Sequence, residues 1–298
     1  MKKWARRISY VLITMVCVGL GLALAGKLLG ERKLARQVAV PARQLEVAAD
    51  PARVGHGRYL FNTRGCADCH GANGAGQTVL RDGAMLVVSP NISPGENSVT
   101  RHYRAADWVR TVRHGVKPDG TPVMIMPSED YNRLSDADMA ALLAYLTQLP
   151  PAPGVHAVIK LPVRVKALYA LGAIKDAAEK IDHAAPPPAP VEAGISAAHG
   201  AYLANTCMGC HGPQLAGGTI PGAPSAWPPT ANLTPGKGSV MPRYPSPELF
   251  MATLRSGKRP DGSAISEVMP FGSLKQMTDT DLRALYAYLK TLPPHDSK

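Results

Sequence analysis

Two short stretches carry the densest chemistry in this chain: Cys66-Ala67-Asp68-Cys69-His70 and Cys207-Met208-Gly209-Cys210-His211. Two thiols one helical turn apart, followed at once by an imidazole, form the attachment signature of c-type haem. Each thiol can add to a vinyl group of one porphyrin, and the histidine then lies beneath the iron as its proximal ligand. With 5 Cys and 9 His in 298 residues, one such pattern by chance is an event on the order of 10⁻³. Two of them predict two covalently attached haem c groups, one on Cys66, Cys69 and His70 and one on Cys207, Cys210 and His211.

Other uses of paired cysteines fit less well. A zinc site would gather both pairs around one metal, whereas these lie far apart and each has its own histidine. A thioredoxin-like dithiol sits near a βαβ pattern, which the sequence lacks. The fifth cysteine, Cys17, lies in an apolar run and reads as an inert small hydrophobe.

The second axial ligand decides what a haem can do. An iron with one protein ligand is open to peroxide, oxygen or substrate; one with two is left with outer-sphere electron transfer. Met126-Pro127 and Met269-Pro270 lie at the same distance ahead of Leu134-Ser135-Asp136 and Met277-Thr278-Asp279, and so Met126 and Met269 are the expected sixth ligands. Met124 and Met241 are the nearest decoys, and Met208 sits inside a haem motif facing the wrong way. His/Met ligation gives higher potentials than two imidazoles, because a thioether stabilises ferrous iron.

The elements that must position these residues occur twice. Gly57-Arg58-Tyr59-Leu60 matches Gly200-Ala201-Tyr202-Leu203, and Asn91-Ile92-Ser93-Pro94-Gly95 matches Asn232-Leu233-Thr234-Pro235-Gly236. Tyr103 matches Tyr244, and Pro118-Asp119-Gly120 matches Pro260-Asp261-Gly262. Opening helices are expected near Asp50-Pro51 and Ser196. Closing helices are expected after the caps Ser135 and Thr278, each with acidic residues in its first turn. Met139, Leu142, Leu143 and Leu146 form one apolar stripe, repeated by Leu282, Leu285, Tyr286 and Leu289, with a proline pair behind each.

Each half therefore resembles a class I cytochrome c domain: a helix into C-x-x-C-H, a long loop, a methionine ligand and a helix that crosses the first. The closer resemblance is to the multi-haem cytochrome c subunits of membrane-bound alcohol and aldehyde dehydrogenase complexes, although only two haem motifs stand here against the common three. It covers both domains. It implies an all-α protein of two tandem class I cytochrome c domains. It places an aromatic near the propionates at Tyr103 and Tyr244. Asn91 and Asn232 recur at a fixed place and serve either a propionate or a loop turn.

The N-terminus has a basic start, Lys2, Lys3, Arg6 and Arg7, and then an uncharged, mostly apolar run of 19 residues from Ile8 to Gly26. That length suits a retained transmembrane helix, while Ala23-Leu24-Ala25 would also suit a cleaved signal peptide. Both readings export the rest of the chain. Residues 1–50 hold 9 basic and 3 acidic side chains, over half of the formal +11, where they suit topology and anionic lipid. No basic stripe with interleaved aromatics follows, so a nucleic-acid role is excluded.

The expected organisation is an anchor or signal segment (1–30), a tether (31–50), one haem domain (51–151), a linker (152–194) and a second haem domain (195–298). The linker carries an expected helix over Arg164–Ile181, which either docks on a partner or covers a haem domain, and then a proline-rich spacer. His156 and His183 lie there and are expected in solvent. The reading is an electron carrier, not itself an enzyme, at a bacterial inner membrane with its haem domains in the periplasm. It would relay single electrons from a dehydrogenase subunit towards an oxidase or soluble cytochrome. The competing reading is a di-haem peroxidase with one openable haem.

Overall fold

The computed structural model describes residues 2–41, 43–220, 222–224 and 226–297. Helix α1 (Lys2–Leu34) is long and apolar enough to cross a membrane, and its side chains stand exposed from Trp4 to Leu24. The tether behind it does not hang free. Val38 N–H donates to the Gly120 carbonyl, Arg43 reaches Asp136, and Leu45 and Val47 pack on the first domain's core.

The first domain comprises α2 (Pro51–Thr63), α3 (Cys66–His70), β1 (Gln77–Asp82), β2 (Met85–Ser89), α4 (Ala105–His114), α5 (Ser128–Tyr131) and α6 (Asp136–Leu146). Asp50 caps α2 through Arg53 N–H, and Ser135 caps α6 through Asp138 N–H, so both expected helix starts stand. Both closing helices stop short of their proline pairs, here at Leu146. Met139, Leu142, Leu143 and Leu146 are at most 4% exposed, and they close over Leu60, Phe61, Trp108 and Val109.

Helices α2 and α6 cross at Gly57. A Cβ there would stand 1.9 Å from the Ala141 carbonyl oxygen, so only glycine lets the backbones meet.

The second domain repeats this with α9 (Ala197–Ala204), α10 (Met208–His211), α11 (Pro247–Ser256), α12 (Phe271–Leu274) and α13 (Asp279–Leu289). Ser196 and Thr278 cap α9 and α13, and Gly200 lies on Ala284 as Gly57 lies on Ala141. Leu203, Phe250, Leu254, Leu282, Leu285 and Leu289 form its core.

Three expectations need correction. The protein is mostly helical but not all-α: β1 and β2 form an antiparallel hairpin, and β3 (Val158–Lys160), from the linker, pairs with β2. The Asp82-Gly83 turn between two β-branched runs is a hairpin signal that the helical repeat had masked.

The linker helix is broken. Helix α7 (Val163–Ala170) ends before Gly172, whose φ of 78° leaves the helical region, and a short α8 (Ala177–Lys180) follows. It does cover the first domain, since Ala177 and Ala178 are buried beside Gly115, and it also docks on α1.

His183 is not in solvent. Its Nδ1 lies 3.1 Å from His114 Nδ1, and burial holds both imidazoles below their ordinary range, His114 at about 4. His156 is exposed as expected.

Candidate functional site

Gly65, at φ 81°, turns the chain out of α2 so that α3 can begin at Cys66, and Gly71, at φ 74°, ends that turn behind His70. Cys66 and Cys69 are both free thiols, as are Cys207 and Cys210. Burial pushes Cys66 up to about 12 and Cys207 up to about 11, with the partner thiol adding to the shift at Cys66 and Asp130 at Cys207. A redox-active dithiol needs the opposite shift. Among the described residues no group of three or more His, Cys, Asp or Glu could hold a metal ion, so the two pairs do not pool around zinc.

His70 Nδ1 donates to the Pro90 carbonyl at 3.0 Å, and His211 Nδ1 donates to the Ala231 carbonyl at 2.8 Å. This fixes the tautomer and leaves each Nε2 as a bare lone pair for iron. Burial lowers both imidazoles against that bond, which keeps them neutral. Unpaired thiols one turn apart with an oriented neutral imidazole behind them are the donor set a c-type haem requires.

The carbonyls that orient these rings belong to the residues just before Asn91 and Asn232, whose own side chains bond to the backbone. Asn91 donates both amide hydrogens to carbonyls, those of Glu96 (2.7 Å) and Ala152 (2.9 Å). Its Oδ1 accepts from Ser93 N–H and Ser93 Oγ. Asn232 does the same with Lys237, His295 and Thr234. No amide hydrogen is left for a propionate. The asparagines tie the ligand-orienting loop to the chain leaving each closing helix.

Met126 packs against the first core and Met269 against the second. Met124 does not join the first core cluster, whereas Met241 is 3% exposed inside the second, in the short turn Met241–Arg243. Tyr103 and Tyr244 stand edge-on to Trp108 and Phe250, with centroids 5.3 and 5.9 Å apart. Both tyrosines flank the cores that Met126 and Met269 join.

The sequence reading missed the seam between the domains, which obeys an approximate twofold relation. Tyr202 Oη donates to Asp138 Oδ2 at 2.5 Å and accepts from Ser135 N–H at 3.0 Å, at the start of α6. Tyr59 Oη makes the matching pair of bonds in the other direction, to Asp281 Oδ2 and from Thr278 N–H, at the start of α13. Each carboxylate also faces the histidine at the matching place, His56 to Asp138 at 2.7 Å and His199 to Asp281 at 3.6 Å.

Burial works to raise Asp138, but the bonds from His56 and Tyr202 outweigh it and hold this carboxyl below its ordinary value. The Asp138 bond raises His56 in return. Burial, then the Asp138 charge, pushes the Tyr202 phenol up to about 12, so it stays a donor. The signal was available, because His56, Tyr59 and Asp138 recur in the repeat as His199, Tyr202 and Asp281.

The haem motifs also meet this seam. Ser273 Oγ, four residues behind Met269, donates to Asp68 Oδ2 of the first motif at 2.5 Å. Asp130, four residues behind Met126, lies against Gly209 of the second motif, where a Cβ would stand 2.7 Å from its Oδ2. Arg133 adds a bond to Asn205 Oδ1 at 3.2 Å. Each motif helix thus touches the segment that follows the other domain's methionine.

Comparison with known proteins agrees with this duplicated geometry. The cytochrome c family model matches residues 54–150 and again 196–293. The chain is 28% identical to the fructose dehydrogenase cytochrome subunit of Gluconobacter japonicus over 86% of its length and 56% of that protein's. It is 29% identical to the cytochrome c subunit of the quinone-type alcohol dehydrogenase of Gluconacetobacter polyoxogenes, over 83% and 57%. It is also 29% identical to a diheme cytochrome c-type protein of Cereibacter sphaeroides, over 80% and 85%. The chain thus spans under two thirds of the two dehydrogenase subunits but most of the diheme protein.

Proposed function

From the premise that this chain belongs to the cytochrome c family, with two such domains and two covalent haem c groups, we propose that it is a membrane-tethered relay for single electrons. Each haem supplies a one-electron ferric–ferrous couple. The protein's part is to hold, orient and enclose.

Cys66 and Cys69, with Cys207 and Cys210, carry the thioether bonds. His70 and His211, aimed by the Pro90 and Ala231 carbonyls, are the proximal ligands. Met126 and Met269, packed on the two cores, would supply the sixth ligands, and Tyr103 and Tyr244 would line the haem crevices. A thioether on the sixth position closes each iron to exogenous ligands and favours the ferrous state.

The observation that carries the reading is the seam. Each motif helix lies against the segment behind the other domain's methionine, so the residues that would carry the two haems share one interface. Two redox groups locked in a single body suit passage of electrons between partners that never touch each other. The donor is the catalytic subunit of a dehydrogenase, the role that the similar subunits' names suggest, and the acceptor is an oxidase or soluble cytochrome. Helix α1 tethers the chain, and its basic start keeps the N-terminus cytoplasmic and the haem domains periplasmic.

The test is optical. The purified ferric protein is expected to show the weak far-red band of methionine-ligated haem at both sites, with no carbon monoxide adduct on reduction. A high-spin ferric signal, or carbon monoxide binding to the native ferrous protein, would remove the relay reading.

A further inference from the structure

The linker helix α7 does not contact α1 at random. A Cβ on Gly26, the last residue of the uncharged run, would stand 2.7 Å from Ala167 Cβ, and one on Gly30 would stand 2.5 Å from the Lys166 carbonyl oxygen. The two small residues let α7 cross α1 at close quarters. Polar bonds then pin the crossing on its far side. Lys166 Nζ reaches Glu31 at 2.6 Å, Lys33 Nζ reaches Tyr169 O at 2.8 Å, and Arg36 reaches the fully buried Asp176 at 2.6 Å. Tyr169 Oη donates to the same carboxylate at 2.5 Å. The linker is therefore held at the point where α1 leaves its apolar run.

The face of α7 that adjoins this clamp is apolar. Val163, Ala167 and Leu171 recur every four residues, with Leu168 beside them, so they share one stripe. Leu171 is 81% exposed, and Val163 and Leu168 are each 43% exposed. Ala167, the centre of that stripe, is the residue that touches Gly26, so the stripe stands level with the end of the apolar run. Leu28 and Leu29 of α1, between Gly26 and Gly30, are exposed as well, at 55% and 56%. Lys27 and Arg32 of α1, Arg164 of α7 and Lys175 behind it are exposed on the same segments.

An apolar stripe with exposed cations on the same segments, fastened to a helix long and apolar enough to span a bilayer at its exit, matches an interfacial helix on anionic lipid. We propose that this face of α7, with Leu171 at its tip, lies in the headgroup–acyl boundary of an anionic bilayer and sets the height and tilt of the haem pair above the membrane. The proposal rests on α1 being a retained anchor. It goes beyond tethering, because a tether alone leaves the haem domains free to tumble, whereas the α7 clamp gives them one orientation towards a membrane-bound partner.

The test uses the full holoprotein in nanodiscs of phosphatidylglycerol and phosphatidylcholine, on a Cys17→Ser background, since the other four cysteines are consumed by thioethers. Nitroxide labels are placed singly through Leu12→Cys in the apolar run, Leu171→Cys on the stripe and Leu249→Cys on the second domain. Collision rates with oxygen, which partitions into acyl chains, are compared with those of a water-soluble nickel chelate.

The expected result is a ratio of oxygen to nickel collisions several-fold higher at Leu171 than at Leu249, approaching that at Leu12. A Leu171 label as aqueous as that at Leu249, with Leu12 still in the acyl region, overturns the proposal and leaves the anchor standing. A Leu171 label shielded from both reagents means that protein, from a second copy or another chain, covers the stripe, and also overturns it. A Leu12 label that is itself aqueous removes the anchor reading and the proposal together.

Discussion

The seam between the domains gives the most demanding prediction. Replacing Tyr59 and Tyr202 together by phenylalanine removes two hydroxyls and no carbon. Each hydroxyl donates to a carboxylate and accepts the backbone N–H of the residue that caps a closing helix in the other domain. A hydrogen bond to a charged group is worth about 1.5–3 kcal/mol, and a buried carboxylate left short of a partner lies at the upper end. The two sites therefore hold roughly 3–6 kcal/mol of docking energy if they add, a shift of about two to four powers of ten in the docking equilibrium.

The loss falls between the domains, since the α2–α6 and α9–α13 crossings are untouched. Calorimetry on the wild-type holoprotein is expected to show one cooperative transition, and on Tyr59→Phe/Tyr202→Phe two, separated and earlier. The single variants should lose less than half of the double variant's loss each, because breaking one side leaves the other to hold the same interface. A double variant that unfolds once, at the wild-type midpoint, would show that these phenols do not hold the pair together.

Three further outcomes follow from the geometry. Met269→Ala should open the second haem alone, abolishing about half of the far-red absorbance and admitting one carbon monoxide per protein; an unchanged spectrum would move the ligand to Met241. Asn91→Ala removes four hydrogen bonds around a side chain 0% exposed and should cost about 2–4 kcal/mol in denaturant titration. Its haem potential should hardly move, whereas a large change in potential at unchanged stability would restore the propionate role.

Burial, then the Glu129 charge, pushes Asp130 from its ordinary 3.8 up to about 7. The folded state therefore holds a proton that the unfolded state releases, and wild-type stability should fall as pH rises between those two values. Asp130→Asn removes that slope and stabilises most above pH 7, by up to ~4 kcal/mol. Parallel melting curves for the two proteins across this range would show the carboxyl to be ionised throughout.

Much of the haem chemistry was legible because it is local. Cys66, Cys69 and His70 need only one helical turn, and spacing along the chain decides that. The caps at Asp50, Ser135, Ser196 and Thr278 act within three residues and stand where their side-chain chemistry put them. The duplicated Met-Pro pairs selected Met126 and Met269 as candidates by recurrence alone. Asn91 shows the limit. Its recurrence marked it as needed, but both a propionate and a backbone loop offer acceptors, and the bond to the Ala152 carbonyl, 61 residues away, is one that no local pattern announces. The β1–β2 hairpin carried its own turn signal and was hidden by a repeat that, among the described residues, has no matching strands in the second domain.

The sequence by itself determined that this protein carries two haems, each in a domain of its own, because the attachment motif acts over a few residues and its surroundings repeat at fixed spacing. The tertiary structure decided how the domains face each other and where the linker lies. Tyr59 finds Asp281 across 222 residues, and α7 finds α1 where Gly26 and Gly30 leave room. Such contacts depend on shape and on hydrogen-bond partners that no local pattern announces, and they become visible only when the chain is folded.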